Sequence, residues 1–210
     1  PADLGTGVGS RGGAIELRPL WPEEKWGVKF GQGVGQNAYS RTFMRLDSGS
    51  LPAVNTRLSV SGSYTDADKW KGPGGLGPRK NANIALGQPI NDRDTIQFWF
   101  NYNGLDQNLY KPLTYEQAQD LGANYDNDYN ASLTGVPVQD INYYDYNRGS
   151  YLNRDFLSVI PISFTDAFTL TFKPYYSNES TAVLQGTMSM GGSVQQRMRD
   201  IERYGLISQI

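Results

Sequence analysis

The chain has 210 residues, 24 of them Gly and 14 Tyr, with hydrophobic residues at 38%, which is enough for one ordinary domain with thin core material. Its formal net charge of -2 gives no basic footprint, so nucleic-acid binding is set aside. With no Cys there are no disulfides or thiolate metal sites, and with no His the usual general base and commonest metal ligand are missing, so the chain does not read as an enzyme.

No apolar run is long enough for a membrane helix, so any membrane crossing must be made by strands. Pro1 heads the chain and no signal peptide is visible, so the sequence reads as processed or as a piece. Near the start, Gly7, Gly9 and Gly12 have the G-x-G-x-x-G spacing of a dinucleotide loop. Such a loop must follow a strand and open a helix, whereas only six residues precede it and Ala14 to Pro19 reads as a short strand ending at proline. A glycine-rich bend with closely packed backbones is the better reading.

Trp26 to Phe30 and Thr42 to Leu46 alternate on either side of the polar connection Gly35 to Ser40, which predicts a hairpin. From Arg57 to Tyr64 the alternation is cleaner, with Leu58, Val60, Gly62 and Tyr64 on one face and Arg57, Ser59, Ser61 and Ser63 on the other. Thr65 to Lys80 is a loop by its Gly, Pro and charge content, and it leads into a strand carrying Ile84 and Leu86. A tight charged turn at Asn91 to Asp94 then opens the clearest strand of the chain. There Ile96, Phe98, Phe100 and Tyr102 face one way, and Thr95, Gln97, Trp99 and Asn101 the other.

Gly104 to Arg154 shows no sustained strand pattern but is dense in Asn, Asp and Tyr, and connections of such length are usually functional. Within it, Thr114 to Gln117 has the form of a capping box, predicting a short helix stopped at Gly122. Asp155 to Ile162 and Phe168 to Tyr176 predict a last hairpin about Phe164 to Ala167, its first strand apolar on both sides and its faces unassigned. After Ser177 a polar stretch ends in Gln195 to Asp200, read as helical and unpaired.

The seven strands so predicted have their tight turns at one end and large loops, at 65–82, 104–154 and 177–210, at the other. With Tyr64, Tyr102 and Tyr176 near the loop ends, this is the pattern of an antiparallel transmembrane β-barrel. A soluble β-sandwich also alternates, but it buries its apolar face against a second sheet and has short loops at both ends. Seven strands are odd, and fewer than the roughly eight of the smallest bacterial barrels, so the chain is expected to be a slice of a longer wall.

At this point the residues resemble a family. The opening GTGVGSRGGAIELRP, residues 5–19, resembles the end of the plug domain of TonB-dependent outer-membrane receptors. TRLSVSGSYTDADKW and NDRDTIQFWFNYN resemble the third and fifth barrel strands of that family, and MRDIERYG, from Met198 to Gly205, resembles an outer-loop segment. The resemblance implies that residues 1–20 end a plug and that 21–210 begin a plugged barrel of about 22 strands. It further implies active uptake of a scarce ligand, foremost a ferric siderophore, driven by the inner-membrane TonB complex through plug parts that this chain lacks. Outer-membrane lipid would surround the wall, and no cofactor is implied. Haem, cobalamin, copper or a glycan are alternative ligands, and a passive porin or a soluble glycan-binding module are alternative functions.

Two sets of site residues follow. Tyr143, Tyr144, Tyr146 and Arg148 could stack on and hydrogen-bond a polar, partly aromatic ligand, or else pack the long loop. Lys29, Arg45, Arg57, Gln97, Trp99 and Lys173 would face the interior, toward a plug or a water-filled pore. Met188 and Met190 suit a soft ion, but without Cys or His beside them no metal site is expected.

Overall fold

The computed structural model describes residues 18–210; the glycine-rich bend and most of the expected plug end lie outside the described residues. The described chain is a single antiparallel sheet whose spatial order is its sequence order. Its strands are β1 (Trp26–Val34), β2 (Ser40–Ser50), β3 (Arg57–Asp66), β4 (Arg79–Pro89), β5 (Thr95–Asn108), β6 (Arg148–Thr165), β7 (Phe168–Thr187) and β8 (Ser193–Gln209).

Eight strands stand where the sequence predicted seven. Gln195 to Asp200 is strand rather than helix, and it is paired, with Arg197 opposite Val183 and Arg199 opposite Thr181. The segment MRDIERYG therefore lies inside β8 and not in a loop. The loops are shorter than expected for the same reason, since β5 continues past Gly104 to Asn108 and β6 starts at Arg148. The connections at one end span residues 35–39, 67–78, 109–147 and 188–192, and those at the other 51–56, 90–94 and 166–167. The two longest connections thus share one end, as the alternation of lengths predicted.

Cross-strand register turns this pattern into two continuous rows. Val28, Leu46, Val60, Ile84, Phe100, Phe156, Tyr176 and Tyr204 are successive partners from β1 to β8. All eight are apolar or aromatic and all are exposed, from 38% at Phe156 to 82% at Tyr204. One residue along each strand, side chains reach the opposite face. There the row reads Lys29, Arg45, Ser61, Asn83, Asn101, Asp155, Ser177 and Arg203. The register also assigns the faces of β6, placing Phe156 with the apolar row and Asp155 with the polar one.

Burial is inverted to match. The buried apolar side chains among the described residues are Ala85 and Tyr129, whereas Arg45, Asp47, Ser59, Lys69 and Asn147 are all buried. The stability of such a sheet in water cannot come from apolar burial, because its greasiest row is the one left open.

At the short-turn end, Asp94 ties the β4–β5 turn to β6. Its carboxylate accepts from the Ser163 hydroxyl at 2.7 Å, the Ser163 N–H at 3.1 Å and the Asn91 amide at 2.9 Å. These donors, the Ser163 hydroxyl first, hold the Asp94 carboxyl below its ordinary range. A lowered carboxyl pKa contributes stability that is complete above the ordinary value of 3.8 and disappears as pH falls through the lowered one. The stability difference between wild type and Asp94→Asn should therefore be constant at neutral pH and shrink below about pH 4. Thermal melts across that range check this, and a difference unchanged at pH 3 would exclude it.

Candidate functional site

The polar face carries all six residues expected to point inward. Lys29 and Arg45 lie in its central row, Arg57 and Gln97 are both partnered by Gly87, Trp99 by Leu157, and Lys173 by Ile207. The middle of this face is stitched by side chains. The Asn83 amide donates to Asn81, the Asn81 amide to Asn101, and the Asn101 amide to Asp155 at 2.8 Å; Asp155 also accepts from the Ser177 hydroxyl at 2.7 Å. Bonding of this kind suits a surface that meets water or another polar surface, because each group already has a partner.

At the β1–β3 side, the chain entering the sheet is clamped to this face. Arg45 grips Asp47 with two parallel bonds, Nε to Oδ2 at 2.8 Å and NH2 to Oδ1 at 2.7 Å. The same guanidinium donates to the carbonyls of Leu20 at 3.1 Å and Trp21 at 2.9 Å, while Asp47 accepts from the Glu23 N–H at 3.0 Å. Glu23 meets Lys29, and Glu24 meets Arg57 at 3.3 Å. Three of the expected interior residues, Lys29, Arg45 and Arg57, are thus committed to holding residues 20–24. A buried pair of this geometry satisfies both ions, which is what makes it tolerable away from water.

The loops form a second polar assembly. Lys69, from the 67–78 loop, lies 2.6 Å from Asp128 of the 109–147 loop, with both side chains buried. That Asp128 oxygen has no aligned hydrogen-bond donor, so the ammonium alone neutralises it, while its other oxygen accepts from the N–H groups of Lys111 and Tyr129. Aromatic rings close around the pair. Lys69 sits 4.7 Å from the Tyr110 ring centre and 5.8 Å from that of Tyr129, and Trp70 packs at a tilt against Tyr110 and Tyr125. Burial, and then the Asp128 charge, raise the Tyr129 hydroxyl above its ordinary pKa. Gly72 is required here, because a Cβ on it would come 2.5 Å from Asp128 Oδ2.

The capping box is present as predicted, with Thr114 and Gln117 exchanging bonds at the start of α1 (Tyr115–Gln119). The helix does not stop at Gly122, however. Asp120 ends it and its side chain caps the next short helix, α2 (Leu121–Asn124), which contains that glycine. A third turn, α3 (Pro137–Asp140), is braced by Asp140, whose carboxyl is lowered by bonds from the Thr134 N–H first and then the Thr134 hydroxyl and Gly135 N–H.

Tyr143, Tyr144 and Tyr146 come together, Tyr143 packing edge-on against Tyr144 at 5.0 Å and against Tyr146 at 5.2 Å. Desolvation, followed by the neighbouring Tyr144, raises the Tyr143 hydroxyl. Arg148 pairs with Asp145 at 2.8 Å and lies in register with Asn108 and Leu184, on the same side of β6 as Phe156. Beside it is a cavity of about 450 Å³ lined by Asp106, Asn108, Asp145 and Arg148 among others. Met188 and Met190 are exposed in the β7–β8 turn, Met190 at 97%. No group of three or more His, Cys, Asp or Glu able to hold a metal ion occurs among the described residues.

Sequence reasoning missed Asn147 and Gly186, which dock this loop on the sheet. The buried Asn147 amide donates to the carbonyls of Ile141 and Tyr143, both at 2.9 Å, and its oxygen accepts from the Gly186 N–H at 3.2 Å. A Cβ on Gly186 would lie 1.9 Å from the Ile141 carbonyl oxygen. Gly186→Ala should therefore push the loop off β7, at a cost of about 1–3 kcal/mol, and expose residues 109–147 to protease while the strands stay intact. Limited proteolysis checks this, and a wild-type digest would refute it.

No family model, curated protein or solved structure matches this chain.

Proposed function

We propose that this chain is the beginning of the wall of a plugged outer-membrane β-barrel, belonging to a receptor for TonB-dependent uptake of a scarce ligand. The observation that carries the reading is the exposed apolar row crossing all eight strands, backed by a wholly polar row on the other face. In water such a sheet would expose its most apolar row, whereas in a bilayer that row meets hydrocarbon and the polar row faces a lumen. A soluble glycan-binding sandwich would have the opposite burial.

The clamp on residues 20–24 supports an entering segment held inside the wall, as the resemblance to a plug end implies, and favours this reading over a passive porin. β8 is still 17 residues long at the edge of the sheet, and an unpaired edge is untenable in hydrocarbon, so further strands would close the wall. The ligand is a ferric siderophore in this reading, with the inner-membrane TonB complex as the energy-coupling partner and no catalytic step. Tyr143, Tyr144 and Tyr146 from the loop, and Arg148 from the start of β6, would contribute ligand contacts, since Tyr and Arg supply rigid area and charge at binding hot spots.

Exchange of the three tyrosines for Ser together with Arg148→Ala, in the full-length receptor, should weaken ligand binding by about 2 kcal/mol or more, roughly thirtyfold, at unchanged membrane levels. Growth on a panel of ferric siderophores, haem, cobalamin and copper, with receptor levels checked by blot, measures this. Unchanged growth on every member would remove the loop from the site, and loss of the protein from the membrane would assign these residues to packing.

A further inference from the structure

The cavities beside β5–β8 have little free chemistry, because their carboxylates are already engaged: Asp106 by Ser150, Asp145 by Arg148, and Asp200 by Asn178 and Ser180. A third cavity, of about 440 Å³, lies at the loop end of β1 and β2 and is lined by Gly31, Gly33, Tyr39, Arg41 and Phe43. Arg41 and Phe43 share the polar face with Arg45, since they precede it at steps of two along β2. Arg41 is exposed, and it takes part in none of the ion pairs among the described residues. Its guanidinium sits 5.8 Å from the Phe43 ring centre. Opposite, the Tyr39 ring lies close to Gly33, with a ring carbon 3.6 Å from where a Cβ would stand.

We propose that this groove is a binding site for a small aryl carboxylate. Its walls are two aromatic side chains, which take a planar ring by stacking or edge contact. Its floor is strand backbone at Gly31 and Gly33, where the absence of side chains lets a ring approach closely. Its single charge is a guanidinium, whose planar fork matches a carboxylate with two parallel bonds. The volume falls within the ordinary range for small-molecule sites, about 300–1,000 Å³. A neutral ring would leave the guanidinium without a counter-ion, and a bare inorganic anion would leave the aromatic walls unfilled.

The site goes beyond the transport reading and rests only on its placement of the sheet in a membrane; direct binding tests it without any measurement of uptake. The full-length protein in lipid nanodiscs is titrated with 4-hydroxybenzoate, 4-hydroxybenzamide and inorganic phosphate, and ligand contact is followed by saturation-transfer NMR. The benzoate should bind, the amide at least fivefold more weakly, and phosphate should not displace the benzoate at equal concentration. Arg41→Gln and Gly33→Val should each weaken benzoate binding at least tenfold. A Cβ at position 33 would make only ordinary contacts, 3.6 Å to Tyr39 and 3.9 Å to Arg41, so the valine fills the floor with its two γ-methyl groups. Absence of benzoate binding, equal binding of the amide, displacement by phosphate, or retained affinity in Arg41→Gln would each overturn the proposal.

Discussion

Replacing Phe100 with Arg should prevent the protein from assembling in the membrane. Phe100 stands in the middle of the exposed apolar row, between Ile84 and Phe156, so in the proposed barrel a guanidinium there would face hydrocarbon near the bilayer midplane. The cost is about 2–4 kcal/mol, comparable to much of the stability of a marginal fold. Gln97→Arg, on the same strand but the polar face, should assemble normally, because its new charge would enter the proposed lumen. A heat-modifiability gel on outer-membrane fractions reads both variants at once. Equal behaviour of the two would contradict the assignment of faces and, with it, the barrel.

The second large effect is expected at Arg45. Arg45→Ala leaves Asp47, at 1% exposure, with its charge buried and its two strongest donors gone, and strips the Leu20 and Trp21 carbonyls of theirs. Breaking one side of a buried pair costs about 3–5 kcal/mol, most of it from the charge left behind. Arg45→Met combined with Asp47→Leu removes that charge, so the sheet should recover much of the loss while residues 20–24 stay released. Thermal unfolding and cleavage by protease after Lys25 separate the two quantities. If the single variant were as stable as wild type, or if the double variant kept the segment protected, the clamp would not be what holds it.

The contrast between these faces explains which parts of the fold could be read from sequence. β3 and β5 were visible because Leu58, Val60, Ile96, Phe98 and Phe100 alternate with polar residues, and that contrast is imposed by two different surroundings. Above the apolar row the contrast vanishes. In β8, Gln196, Asp200 and Glu202 follow the parity of Tyr204, yet they are as polar as their neighbours on the other face. Pairing there is made by backbone hydrogen bonds, which leave no trace in side-chain hydrophobicity, so the strand was read as helix and the extensions of β5, β6 and β7 as loop. That the six residues expected inside share one face was legible because position along a strand fixes face. The clamp was not, since it joins Arg45 to carbonyls more than twenty positions away. The tyrosine cluster was visible as composition, but its anchor was not, because Asn147 and Gly186 acquire meaning only when β7 arrives beside the loop.

The buried Lys69–Asp128 pair has a consequence for how this surface can be altered by recombination. Each loop supplies one charge, so the longer loop transplanted alone would carry Asp128 into its aromatic pocket without a counter-ion, and the shorter would carry Lys69 away from both its carboxylate and its rings. The 67–78 and 109–147 loops should therefore be inherited as a unit. A chimera that exchanges both together should display correctly, whereas one that exchanges only the longer should be degraded, and sequence variation in the two should proceed in step.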